Sequence, residues 1–346
     1  MNSRQTLLRD VLILFAFAGW AVALPGFASD FVLSMALTCL MYVALSTSWA
    51  LFCGTTRYLS LATAAFFGVG AYTSALLVET WPWWQVVALG ALVAALLAVL
   101  LAVFMGALVL HLRGTYFAIL TFGMTELIRH TVTFYESTVT GTVGRMILVA
   151  PDSKTVYYTV LLLAVAAVAT SIVVRRTRFG LAMQGIGSDE QRAQTLGVDT
   201  RLVKIGGFAL TAAFAGAVGA AMAVRWTYID PTTVFNPFIG FQTVLIALIG
   251  GAMTLWGPLL AAILFSILAE TLRLQAPELY MMSLGLLLIL FVLYLPGGLA
   301  SVRWFMLHAA WSALREGWRV RRYRWSGQQA RDEARARQRA RERRHV

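Results

Sequence analysis

An all-α bundle of membrane-crossing helices is the fold this sequence predicts, and three observations predict it. Of 346 residues, 59% are hydrophobic and only 13% charged, with a mean hydropathy of +0.74; soluble domains run near half apolar and about a quarter charged. The apolar residues fall in long blocks, each close to the roughly 20 residues that cross hydrocarbon as a helix. The basic residues gather between alternate blocks, as orientation in a membrane requires. A soluble enzyme of this length would need far more polar surface to cover its cores.

Read between breakers, the blocks give about ten spans: 11–28, 31–53, 58–78, 83–110, 114–134, 156–174, 205–225, 239–256, 258–273 and 280–299. The first does not read as a signal peptide, because Pro25 and Gly26 offer no small-residue cleavage pattern. The second carries Cys39 and Cys53, 14 residues apart on one helix and too distant for a disulfide. Gly and Pro interrupt 58–78 and 239–273. Such stretches read as re-entrant or discontinuous, which lipid tolerates only where protein or a cavity shields the freed backbone. Ten spans place both termini on one side. With the termini cytoplasmic, 23 basic residues lie inside and five outside: Arg129, Arg145, Lys154, Arg225 and Arg273. That is the asymmetry of the positive-inside rule.

In the span 205–225, Gly207, Thr211, Ala215 and Gly219 recur every four residues, beside Ala212, Gly216 and Ala220. Small residues at this spacing let helix backbones approach closely and replace the missing hydrophobic drive with dispersion contacts.

Catalytic chemistry is absent from the pattern. His111, His130, His308 and His345 form no pair at metal-ligand spacing, and neither Lys154 nor Lys204 follows a glycine-rich phosphate loop. Without Walker A the chain has no such route to ATP hydrolysis. It reads as a non-enzyme with no cofactor and no metal of its own. The formal charge of +12 is concentrated in residues 302–346, where 13 Arg face four acids. The basic pI describes a tail, and no aromatic platform accompanies the charge, so nucleic acid is not an expected partner.

Polar groups inside spans are the candidates for a translocation path. Glu126 lies 12 residues into its span, about 18 Å along the helix, where an ionised carboxylate is costly unless paired or wetted. It either borders a path or pairs with Arg129 one turn on. Thr63, Tyr72, Tyr116, Thr121 and Thr125 are further path candidates, although such hydroxyls often bond helix carbonyls instead. Glu270 and Arg273, also three residues apart, read as an ion pair at the outer end of their span.

The loop 175–204, RRTRFGLAMQGIGSDEQRAQTLGVDTRLVK, is too polar for a plain connector. Asp189 and Glu190 stand where acids complement a helix N-terminus, and Gly197 is a stop. A short helix held at the cytoplasmic face suits docking to a partner; a solvated connector is the alternative.

With these segments in view, the chain resembles the permease subunits of branched-chain amino-acid ABC importers. The likeness covers most of residues 50–300 and rests on LSLATAAFFGVGAYTSALL (59–77), YFAILTFGMTELIR (116–129), FGLAMQGIGSDEQRAQTLGVD (179–199), IGGAMTLWGP (249–258) and the weaker LPGGLAS (295–301). The resemblance implies a transport subunit of the bacterial inner membrane, paired with a second homologous permease. It also implies two cytoplasmic ATPase subunits and an extracytoplasmic solute-binding protein. The family's coupling-helix segment maps onto Gly180, Asp189, Glu190, Ala193, Leu196 and Gly197. The chain departs from the family at Ala62-Thr63, where Gly-His is usual, at Gly187-Ser188, and at Thr140–Gly144. Urea and amide permeases are similar, so the solute stays open between branched-chain amino acids and these. A proton-coupled secondary transporter working through Glu126 is the alternative function.

Three domains follow. Residues 1–301 form the permease domain with its cytoplasmic loop 175–204. In 302–325, Trp304, Trp311, Trp318 and Trp325 recur by sevens and form one stripe. Tryptophan prefers the headgroup zone and arginine attracts anionic lipid, so this segment is expected to lie on the inner membrane surface or to pack on an ATPase subunit. Residues 326–346 are an Arg-rich cytoplasmic tail.

Overall fold

The computed structural model describes residues 3–82, 85–112, 114–147 and 152–275, together with 282, 283, 285, 286, 289 and 290. The chain divides into two units, Met1–Leu299 and Ala300–Val346. The second lies outside the described residues, and with it the expected tryptophan helix and the Arg-rich tail; most of the span 280–299 does too.

The described chain is helical apart from one two-stranded antiparallel ribbon. The long helices are α1 (Ser3–Ala23), α2 (Asp30–Trp49), α3 (Thr63–Thr80), α4 (Ala91–Val109), α5 (Thr115–Tyr135) and α6 (Ser153–Val174). Two short helices, α7 (Arg178–Ser188) and α8 (Glu190–Thr195), precede α9 (Thr200–Ala223). They are followed by α10 (Pro231–Val234), α11 (Pro237–Gly250) and α12 (Gly257–Gln275). Strands β1 (Arg145–Met146) and β2 (Tyr228–Ile229) pair Arg145 with Ile229 and Met146 with Tyr228.

Among the described residues, seven helical segments are long and apolar enough to cross a membrane; of the ten expected spans, 280–299 lies mostly outside the described residues. Two expected spans, α3 and α5, are not among them. For α3 the reason is packing. It is buried along most of its length between α4 and α9, so few of its side chains need to suit lipid. The span expected at 83–110 opens with a π turn, Val86–Gly90, before α4 begins.

The small-residue face of α9 sets the core. A Cβ on Gly70 of α3 would meet the Gly216 carbonyl oxygen, and one on Gly219 would meet that of Phe67. Backbones at such range exclude any larger residue. The same helix presents Phe208, fully buried among Phe52, Phe66 and Phe117 at ring separations of 5.6, 5.2 and 6.2 Å.

Two breaks interrupt the bundle; the second falls where Gly and Pro announced one, whereas Gly68 and Gly70 of the expected broken span 58–78 lie inside the continuous α3, and the first break precedes them in 57–62, which holds neither Gly nor Pro. A π turn, Ala50–Gly54, ends α2, and residues 57–62 run non-helically to α3, with Arg57 at a φ of 59°. A non-Gly residue there stores of order 1–3 kcal/mol of strain. The second break, 251–256, separates the half-length α11 from α12 and turns on Gly251, φ 88°. The freed backbone of the first break is held by neighbours. Trp49 donates to the Ser60 carbonyl at 2.8 Å, and the Leu61 N–H donates to Thr121 Oγ1 at 3.1 Å.

Candidate transport site

Residues 175–204 fold into a bracket at one end of the bundle. Thr177 caps α7, accepting from the Gly180 N–H. Asp189 caps α8, its Oδ1 accepting from the Gln191 and Arg192 N–H groups at 3.0 and 3.1 Å. An Asp at this position satisfies orphan amides and faces the positive end of the helix. Gly197, at φ 84°, ends the segment in the left-handed region that its lack of a Cβ permits.

Of the six residues expected to couple to an ATPase, three face inward. Gly180 sits against the Val174 carbonyl, and Ala193 is buried. Glu190 turns into the protein. Its Oε2 accepts from the Tyr58 hydroxyl at 2.7 Å and its Oε1 from Lys204 Nζ at 2.8 Å. Lys204 also donates to the Leu110 carbonyl at 2.8 Å and lies 4.7 Å over the Tyr58 ring. Leu196 points the other way, 84% exposed, with exposed Leu181 on α7. Exposed leucines on short helices offer apolar anchors for a partner groove.

The bracket is fastened to the two chain segments that carry the walls of a cavity of about 330 Å³ at this end. One wall is the end of α2, with Cys53, Gly54 and Arg57; the other is the second break, with Gly251, Ala252 and Met253. To the first wall the bracket is joined by Glu190–Tyr58 and by Gly187, whose absent Cβ leaves room for the Thr55 carbonyl. To the second it is joined by Arg175, whose guanidinium donates to the Met253 carbonyl at 2.7 Å and the Ala252 carbonyl at 3.4 Å. Burial lowers the pKa of this guanidinium, yet arginine stays charged. Beside it, Arg176 donates to Asp10 Oδ2 at 2.6 Å, and Asp10 Oδ1 accepts from Trp256 Nε1 at 3.2 Å.

Toward the opposite end, a larger cavity of about 850 Å³ opens along the same α2–α11 seam. Its depth holds buried Tyr42, donating to Gln242 Oε1 at 2.8 Å, and its rim carries Arg225, Glu270 and Arg273. Sequence spacing had paired Glu270 with Arg273. Among the described residues no such ion pair forms, and both side chains line the cavity instead.

The six expected path residues line neither cavity. Thr121 and Thr125 are fully buried and fasten α5 to the first break, Thr121 Oγ1 accepting from the Leu61 N–H at 3.1 Å and Thr125 Oγ1 donating to the Leu61 carbonyl at 3.5 Å. Glu126 pairs with Arg129, whose Nε donates to it at 2.9 Å. Tyr72 donates to Glu136 Oε2 at 3.1 Å and stacks on Phe235. Thr63 is buried at the start of α3, and Tyr116 is 72% exposed.

Comparison with known proteins gives the lineage of the chain. Residues 31–293 match the model of the branched-chain amino acid transport system permease component. The chain belongs to this family. It is similar to the high-affinity branched-chain amino acid transport system permease protein LivM of Escherichia coli K12, at 28% identity over 84% of this chain and 75% of that protein. The LivM of Salmonella typhimurium LT2 matches to the same extent. No solved structure matches. The branched-chain permease family thus supplies a multi-pass membrane setting for the bracket and both cavities.

Proposed function

We propose that this permease is one of two homologous membrane subunits of a bacterial inner-membrane ABC importer for a branched-chain amino acid. In this reading α7 and α8 face the cytoplasm, as do both termini. Two separate ATPase subunits dock on Leu181 and Leu196, and an extracytoplasmic binding protein delivers solute to the opposite end. The chain needs no cofactor of its own.

The observation that carries the reading is the attachment of one bracket to both walls of the inner cavity. A partner that displaces α7–α8 pulls on Tyr58 through Glu190 and on the 251–256 break through Arg175. Nucleotide can drive this only by binding one arrangement more tightly than the other. Moving the equilibrium from 1:99 to 99:1 takes a differential of about 5.5 kcal/mol.

Reconstitution in vesicles with purified partners tests the proposal. Leucine uptake is expected to require ATP and to survive a protonophore. Uptake that follows the proton gradient and ignores ATP would replace this reading with a secondary transporter.

A further inference from the structure

We propose that Asp10 of α1 is a positioning residue for transport. By tying Arg176 to Trp256, it keeps the adjacent Arg175 guanidinium in register with the Ala252 and Met253 carbonyls. The proposal rests on the permease reading, with the bracket as its moving part.

Asp10 is a buried carboxylate, 6% exposed, near the start of a helix whose apolar surface mostly faces outward. Its Oδ2 accepts from Arg176 Nη2 at 2.6 Å and its Oδ1 from the Trp256 indole N–H at 3.2 Å. Arg9, largely exposed, brings a second guanidinium to 3.6 Å from Oδ1. Three segments distant in sequence therefore meet at one side chain: α1, the base of the bracket and the last residue of the second break. Because Arg175 and Arg176 are consecutive, the bracket grips the break at two points. Arg175 takes the Ala252 and Met253 carbonyls directly, and Arg176 reaches Trp256 through Asp10.

Stability alone gives little reason for this arrangement. α1 already packs on α6, where Tyr157 donates to the Ala21 carbonyl at 2.8 Å. A buried ion pair adds little to that, since desolvation of both charges offsets most of their attraction. What it supplies is geometry. One carboxylate accepts from both donors, so neither Arg176 nor Trp256 shifts without the other. Arg175, whose Nε donates to Ser171 Oγ at 3.3 Å, then meets a break with a fixed far end.

The test measures phosphate release and leucine uptake together in vesicles holding the intact importer. Asp10→Asn keeps an acceptor for Trp256 but removes the charge that holds Arg176. It should lower uptake per ATP hydrolysed at least about fivefold, with hydrolysis retained. The neutral pair Asp10→Asn with Arg176→Gln strands no charge, so it assembles even where the single variant fails, and should show the same fall. In an Arg175→Leu background, Asp10→Asn should cause no further fall, because it acts through that residue. Leu14→Ala, which loosens α1 but leaves the carboxylate in place, should lower both rates together and keep their ratio. An unchanged ratio in the neutral pair, a further fall in the Arg175→Leu background, or an equal fall in Leu14→Ala overturns the role of Asp10 and leaves the permease reading intact. Absence of ATP-driven leucine uptake by the wild-type complex overturns the permease reading first, and this proposal with it.

Discussion

Glu190 Oε1 and Lys204 Nζ meet at 2.8 Å with side chains only 9% and 6% exposed, which makes them a buried ion pair at the root of the bracket. Their attraction offsets the desolvation of both charges only because the Tyr58 hydroxyl and the Leu110 carbonyl complete the shell. Removing one partner strands the other. Lys204→Met should therefore destabilise the protein by about 3–5 kcal/mol. Adding Glu190→Leu to it should recover part of that loss. Denaturant unfolding in detergent measures both, and a double variant less stable than Lys204→Met would show that the pair is not the source.

Leu196 gives the opposite expectation from the same segment. At 84% exposure it contributes little to the fold, so Leu196→Asp should leave the melting temperature unchanged. As an apolar anchor at the centre of a docking surface, its loss should weaken co-purification of the ATPases by roughly tenfold or more. Equal capture of the ATPases by the wild type and the variant would move the docking surface elsewhere.

Packing in the core is tested most sharply at Gly70. A Cβ there would lie against the Gly216 carbonyl, and backbone cannot give way as a flexible side chain does. Gly70→Ala should cost about 1–3 kcal/mol or more through the α3–α9 contact. Gly123→Ala, on an open face of α5 with nothing within 4 Å, should be neutral or slightly stabilising. Matched melting curves of the two variants would remove the close-approach explanation.

These contrasts show what the sequence makes legible. The α9 stripe is readable because its period alone determines which residues share a face, and lipid selects small ones for close approach. The second backbone break is readable because Gly and Pro act locally, while the first, in a stretch with neither, is not. Orientation within the bracket is not. Glu190 in the first turn of a helix reads as an acid near the positive end, and its inward turn depends on Tyr58, 132 residues earlier. The outer cavity is harder still, since Tyr42 and Gln242 are 200 residues apart. Spacing on one helix predicted a Glu270–Arg273 pair, which does not form among the described residues; both side chains line the outer cavity. Glu126, by contrast, pairs with Arg129 as spacing allowed, because the two lie one turn apart on the same helix face.

The final expectation concerns transmission. Arg175 reaches the Ala252 and Met253 carbonyls, which line the inner cavity, from the residue that immediately follows α6 and opens the bracket. Hydrogen bonds from a charged donor contribute about 1.5–3 kcal/mol each, enough to carry displacement of α7–α8 into the 251–256 break. Arg175→Leu should let the assembled complex hydrolyse ATP while transport per ATP falls at least about fivefold. Arg175→Lys, which keeps the charge but not the two-pronged reach, should fall between. Simultaneous measurement of phosphate release and leucine uptake in the same vesicles separates this from misassembly, which lowers both together. If the ratio of uptake to hydrolysis is unchanged in Arg175→Leu, the force must reach the cavity through Glu190 and Tyr58 alone.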